Sequence, residues 1–130
     1  AFQEIIKNKK ENNILLLGYV PKRKLRAFYQ IANIFIYPSL YEGFGLPLLE
    51  AMASGTLTLA SNIPVFREII TDNNFLFDPL KVNDVFEKTK YYLSISKSKK
   101  KILTKKYQKI LKSFNWSKTA KRMIKIFNSF

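Results

Sequence analysis

The sequence predicts an α/β fold, a Rossmann-like parallel sheet with flanking helices. Short apolar, β-rich runs recur at 14–20, 34–39, 56–61 and 74–79. Segments whose apolar residues keep helical spacing separate them. The first run, ILLLGYV, is continuously apolar rather than alternating, the pattern of a strand buried on both faces.

Residues 1–9 read as the end of a helix, with Phe2, Ile5 and Ile6 on one side, and a polar break follows at 10–13. Strand 14–20 comes next. Pro21 opens a helix over 21–33, where Leu25, Phe28, Tyr29 and Ala32 share a face. Strand 34–39 is closed by Pro38, and LYEGFGLP (40–47) is a glycine-containing loop. Pro47 suits the first turn of a helix because its missing N–H would be unpaired there. That helix stops at Gly55. Strand 56–61, a short helix over 63–70 and strand 74–79 complete the sheet region. Asn83 or Asp84 is placed to cap a helix running to about Ile95. A helix over 97–114 carries Ile102, Leu103, Tyr107, Ile110, Leu111 and Phe114 on one face, which favours core over a partner surface. Trp116, read as a core anchor, leads into a terminal helix with Ala120, Met123, Ile124 and Phe127.

A chain of 130 residues fits one domain, and 47% hydrophobic residues are too many for a disordered tail. The sequence has neither cysteine nor histidine. Disulfides, thiolate metal sites and the commonest general base are therefore excluded within it. Chemistry here must use carboxylates, hydroxyls, lysines or backbone dipoles. No apolar run reaches the ~20 residues of a membrane span. No signal peptide is visible, and the expected location is cytoplasmic, with peripheral contact at the inner membrane face; the chain opens at Ala1 rather than Met, so a targeting signal could lie ahead of it.

The net charge of +14 is unevenly placed, because residues 88–130 hold fourteen basic residues and no acidic one. Three readings stay open: solvated lysine-rich helix faces, a surface for anionic lipid, or a nucleic-acid patch. Lysine dominates over arginine, so forked contacts to bases and phosphates are scarce and no nucleic-acid partner is expected. Lys22, Arg23, Lys24 and Arg26 start a helix, an unfavourable end for cations unless a phosphate or membrane lies near.

In open parallel sheets, ligands bind beyond the carboxyl ends of the strands. Strand 34–39 feeds directly into Glu42-Gly43-Phe44-Gly45-Leu46. Two glycines allow close backbone approach, and the next helix presents free N–H groups and its positive dipole end, an arrangement suited to a diphosphate. Glu42 before the loop and Glu50 one turn into the helix bracket those amides, and carboxylates accept paired sugar or ribose hydroxyls. Two plainer readings compete: Glu42 as a solvated loop residue, and Glu50 as a partner of the helix dipole. Tyr41 and Phe44 are read equally as pocket lining or as packing.

The run YPSLYEGFGLPLLEAMASG (37–55) resembles the signature of the family 4 (group 1) retaining glycosyltransferases of GT-B fold. Glu42 and Glu50 keep that family's Glu-x7-Glu spacing. The flanks LGYV (17–20), LRAFYQIAN (25–33), SNIPVFREI (61–69), FLFDP (75–79) and FNW (114–116) are similar as well. The resemblance implies transfer of a sugar from a UDP- or GDP-sugar donor to a glycan or lipid-linked acceptor hydroxyl, with retention and without a cofactor or metal. A role in cell-surface polysaccharide or glycolipid synthesis is implied too. By the same resemblance Glu42 holds donor-sugar hydroxyls, and Glu50 holds the ribose. The amides of Gly43, Phe44, Gly45 and Leu46 contact sugar and diphosphate, Val20 lies beside the base, and Glu68 supports the site.

Two departures bear on this. After Gly55 the family usually has Pro and a β-branched residue, where this chain has Thr56 and Leu57. The family's further central strands, its diphosphate-gripping Lys/Arg pair and its N-terminal acceptor domain have no counterpart here. Residues 1–130 are therefore expected to be a partial C-terminal donor-binding domain, inactive alone and without an assignable catalytic residue. Met123, Ile124 and Phe127 would face the missing partner domain. Alternatives are another GT-B activity, such as a nucleotide-sugar epimerase, and a non-catalytic basic module binding nucleic acid or membrane.

Overall fold

The computed structural model describes residues 14–129. Three parallel strands, β1 (Phe35–Tyr37), β2 (Thr58–Ser61) and β3 (Leu76–Phe77), lie in the order β1-β2-β3. Phe35, Ile36 and Tyr37 face Thr58, Leu59 and Ala60, while Ala60 and Ser61 face Leu76 and Phe77. Helix α1 (Lys22–Ile31) precedes the sheet, and α2 (Leu46–Ala53) and α3 (Pro64–Ile69) form the crossovers. After the sheet come α4 (Val82–Ser94), α5 (Lys97–Lys105), α6 (Tyr107–Ser113) and α7 (Trp116–Phe127).

All four residues of the central strand β2 are buried. Around it, Leu48 and Met52 of α2, Phe66 of α3, Phe77 of β3 and Tyr92 of α4 form one apolar cluster. Helix α2 buries Leu48, Leu49, Ala51 and Met52, and this wide apolar coverage is why it crosses the core rather than lying on its surface. It ends at Ser54, followed by Gly55 at φ +80°, a left-handed turn that glycine adopts without steric cost.

The polar residues entering β2 are satisfied inside the core. The Thr56 hydroxyl donates to the Tyr29 carbonyl of α1. The Thr58 N–H and hydroxyl both donate to the Tyr107 phenolic oxygen, each at 3.0 Å. Burial raises the Tyr107 pKa, so this phenol stays neutral in its pocket.

Several sequence expectations are corrected. Residues 14–20 form no strand, and Leu15 is 79% exposed. A parallel strand needs a neighbour's backbone, and among the described residues none lies beside this run; β1 pairs with β2 alone. Strand 74–79 shrinks to two residues because Asp72 caps a 3₁₀ turn over Asn73–Phe75. Helix α4 starts at Val82 without a side-chain cap, because the Asp84 carboxylate instead accepts the Asp78 N–H at 2.7 Å. Segment 97–114 is two helices. At the joint Lys106 N–H bonds Leu103 and Lys109 N–H bonds Lys106, three residues back in each case, which tightens the turn. Of its stripe, Tyr107 is buried, while Ile102 and Phe114 are exposed. Trp116 is 85% exposed rather than a core anchor, because it opens α7, in which no residue is buried. The helix read over 1–9 lies outside the described residues.

The Tyr107 contact generates a test. Tyr107→Phe leaves two buried Thr58 donors without an acceptor and should cost about 2–3 kcal/mol. Urea unfolding would show a lower midpoint at an unchanged slope; an unchanged midpoint would refute the role assigned to this phenol.

Candidate functional site

β1 ends at Tyr37, and the chain bends at Leu40, with Ser39 and Glu42 coming together beside the Tyr37 hydroxyl. The Tyr37 hydroxyl donates to Glu42 Oε1 at 2.5 Å, and the Ser39 hydroxyl donates to the same oxygen at 2.7 Å. These bonds favour the charged form, Ser39 most, and hold the Glu42 carboxyl below the usual carboxylate range. Glu42 is therefore an anion throughout the neutral range. Burial first, and then the Glu42 bond and charge, push the Tyr37 phenol up to about 12.

The loop then runs through Gly43, Phe44 and Gly45 into α2. Gly45 sits at φ +87° and caps α2. A Cβ on it would meet Phe66 Cε1 at 2.6 Å, so a packed ring, as well as backbone conformation, selects glycine here. A Cβ on Gly43 would meet nothing within 4 Å. Phe44 packs edge-on against Phe114, ring centroids 5.7 Å apart. Among the described residues, the N–H groups of Gly43, Phe44, Gly45 and Leu46 donate to no protein acceptor. Pro47 has no N–H, and Leu48 is the first residue to bond back, to the Gly45 carbonyl at 3.0 Å. Four consecutive free donors at a helix start form an anion-binding arrangement.

Glu50 is exposed, while Leu48, Leu49, Ala51 and Met52 around it are buried. It stands on the ridge between two clefts. One, of about 320 Å³, is lined by Lys22, Leu25, Arg26, Tyr29 and Ser54. The other, of about 370 Å³, is apolar and lined by Phe44, Leu46, Leu49, Leu111, Phe114 and Trp116. Burial raises the Tyr29 pKa, and the nearby Glu50 charge raises it further. Glu42 lines neither cleft, nor does Val20, which is half-buried just before α1. Tyr41 is exposed, and Glu68 is exposed on α3. No three acidic side chains gather as a metal site among the described residues.

Tyr37, Ser39, Tyr29 and Phe66 carry no site role legible in the sequence. The only available signal was position: Tyr37 and Ser39 precede Glu42 by five and three residues.

The parallel sheet with flanking helices is an α/β architecture of the kind found in GT-B glycosyltransferases. Sucrose-phosphate synthase from Thermosynechococcus elongatus superposes over 98% of this chain and 33% of its own, with a TM-score of 0.85 and 24% identity. The profile of the glycosyl transferases group 1 family matches residues 2–127, and the chain belongs to that family. It is 43% identical over 84 residues to O-antigen chain mannosyltransferase B of Escherichia coli. It is 40% identical over 74 residues to the serotype-specific mannosyltransferase WbdA of the same species. Those matches cover 65% and 57% of this chain, and 21% and 9% of the relatives' lengths.

The two glycines make opposite predictions. Gly45→Ala should destabilise the protein by roughly 2–4 kcal/mol, from left-handed strain and overpacking against Phe66. Gly43→Ala should stay within about 0.5 kcal/mol of wild type. Thermal unfolding of both variants checks this, and equal losses would contradict the packing around Gly45.

Proposed function

We propose that this chain is the donor-binding part of a longer retaining glycosyltransferase that uses a nucleotide-sugar to build a cell-surface polysaccharide. The observation that carries the reading is the run of four unpaired N–H groups at Gly43–Leu46, bracketed by Glu42 and Glu50. Donor amides suit a diphosphate, and flanking anions suit the hydroxyls of the sugar and ribose on either side of it. Glu42 takes the sugar, and Glu50, beside Tyr29 and the cationic rim of Lys22 and Arg26, takes the ribose. Retention and a metal-free mechanism follow from the family resemblance. The similar O-antigen mannosyltransferases favour a glycan or lipid-linked acceptor.

The proposal that further chain completes the enzyme is supported by surfaces this chain leaves open. Ile14, Leu15, Leu16 and Leu17 are exposed. So are Trp116, Met123, Ile124 and Phe127 on one side of α7, opposite Lys118, Lys121, Arg122 and Lys125. In this reading the apolar side of α7 meets the acceptor-binding domain. The cationic side, with the lysines of α5, supplies peripheral contact with anionic lipid.

In the intact protein, Glu42→Gln and Glu50→Gln should each lower kcat/KM for the donor at least about tenfold, as charge-assisted bonds are lost. GDP-mannose and UDP-glucose are suitable donor probes; wild-type turnover in the double variant would refute the assignment. The same protein should sediment with phosphatidylglycerol vesicles at low salt and be released by salt. Equal sedimentation with phosphatidylcholine would remove the electrostatic contact from the proposal.

A further inference from the structure

Two hydroxyls converge on one oxygen of Glu42. Tyr37 and Ser39 both donate to Oε1, and among the described residues no side chain or backbone group donates to Oε2. An exposed glutamate ordinarily turns about its last side-chain bond through a broad range. Here two bonds from different directions fix the carboxylate plane. Both donors are neutral, so the carboxylate charge is left for a ligand instead of being met by a lysine or arginine.

Tyr37 is itself held at backbone and ring. Its backbone pairs with Ala60 in the sheet, and its carbonyl accepts the Ser61 hydroxyl at 3.3 Å. Its ring packs between Phe35 and Phe66, at centroid distances of 5.7 and 5.2 Å. The phenol stays protonated through the physiological range and can only donate to its anionic partner. Order in the strand is thus passed to the carboxylate in the loop.

We infer that Tyr37 and Ser39 are positioning residues for Glu42, fixing one carboxylate oxygen so that the other is presented free to the donor sugar. The inference rests on the reading of Glu42 as a sugar-binding carboxylate. Pre-orienting a binding group before the ligand arrives removes part of the ordering cost of association and of reaching a reactive geometry.

The test uses Tyr37→Phe, Ser39→Ala and the conservative Ser39→Thr in the intact protein, with GDP-mannose and UDP-glucose as probes. Tyr37→Phe should lower kcat/KM about tenfold, the effect of removing a bond to a charged group. Ser39→Thr should retain what Ser39→Ala loses. In a Glu42→Gln background, Tyr37→Phe should have little further effect, because the group it positions is gone. An equal loss in both backgrounds overturns the inference.

A second readout is independent of turnover. Carbon-detected NMR titration of Glu42 should show its pKa rising toward the ordinary glutamate value in Tyr37→Phe and in Ser39→Ala, since each removes a donor that favours the anion. An unmoved titration in both variants overturns the positioning role. If the titration moves while Glu42→Gln leaves turnover unchanged, the sugar-binding reading fails and the inference built on it falls as well, but the hydroxyl clamp stands as a structural contact.

Discussion

The ring of Phe66 reaches both ends of the site. It packs on the Tyr37 ring at 5.2 Å and occupies the space a side chain at Gly45 would need. The first contact fixes the phenol that bonds Glu42, and the second fixes where α2 begins. Phe66 has no exposed surface, and a close-packed interior gives it no alternative position. A helix of six residues, α3, therefore sets the separation between an anion and a row of free N–H groups without either being part of it.

A second constraint keeps the sheet in place under that site. Strand β2 is wholly buried, yet Thr58 lies in it and Thr56 just before it. Each threonine is answered by a tyrosine, Thr56 by the Tyr29 carbonyl and Thr58 by the Tyr107 oxygen. Among the described residues no buried side-chain polar atom is left unpaired. Hydroxyls that would be costly alone become directional contacts, locking α1 and α6 to the same edge of the core. A proline at position 56 would lack the hydroxyl that makes the first contact.

Much of this was legible in the sequence because it is local. Helical spacing located α1, β-rich runs located the three strands, and Pro47 and Gly55 marked the ends of α2. The errors lie where the deciding contact is distant. Run 14–20 has a strand's composition, but a strand exists only by pairing, and composition does not reveal whether a partner is present. Trp116 is apolar enough for a core, yet no residue of α7 is buried, and an apolar helix side does not by itself show whether this domain covers it. Asp84 had the chemistry of a cap but found the Asp78 N–H first. In the site, the glutamates and glycines stood out by spacing, while the roles of Tyr37 and Ser39 depend on the path of the chain between Tyr37 and Glu42.

The motif is therefore not uniform in purpose, and its residues divide by the physics that selects them. Leu48, Leu49 and Met52 are held by the core, and Gly45 is held by Phe66 whether or not a ligand ever binds. Pro47 withholds an N–H where none is needed. Gly43 is different: its φ is not left-handed and no atom crowds it, so nothing in the protein demands glycine there. Glu50 is likewise exposed, with Leu49 and Ala51 buried on either side of it, and it is not part of the apolar core. Residues that the fold does not require are the ones left for a ligand to explain. By that criterion the donor contacts proposed for the loop narrow to Glu42, the open backbone around Gly43, and Glu50, with the rest of the motif accounted for by the fold.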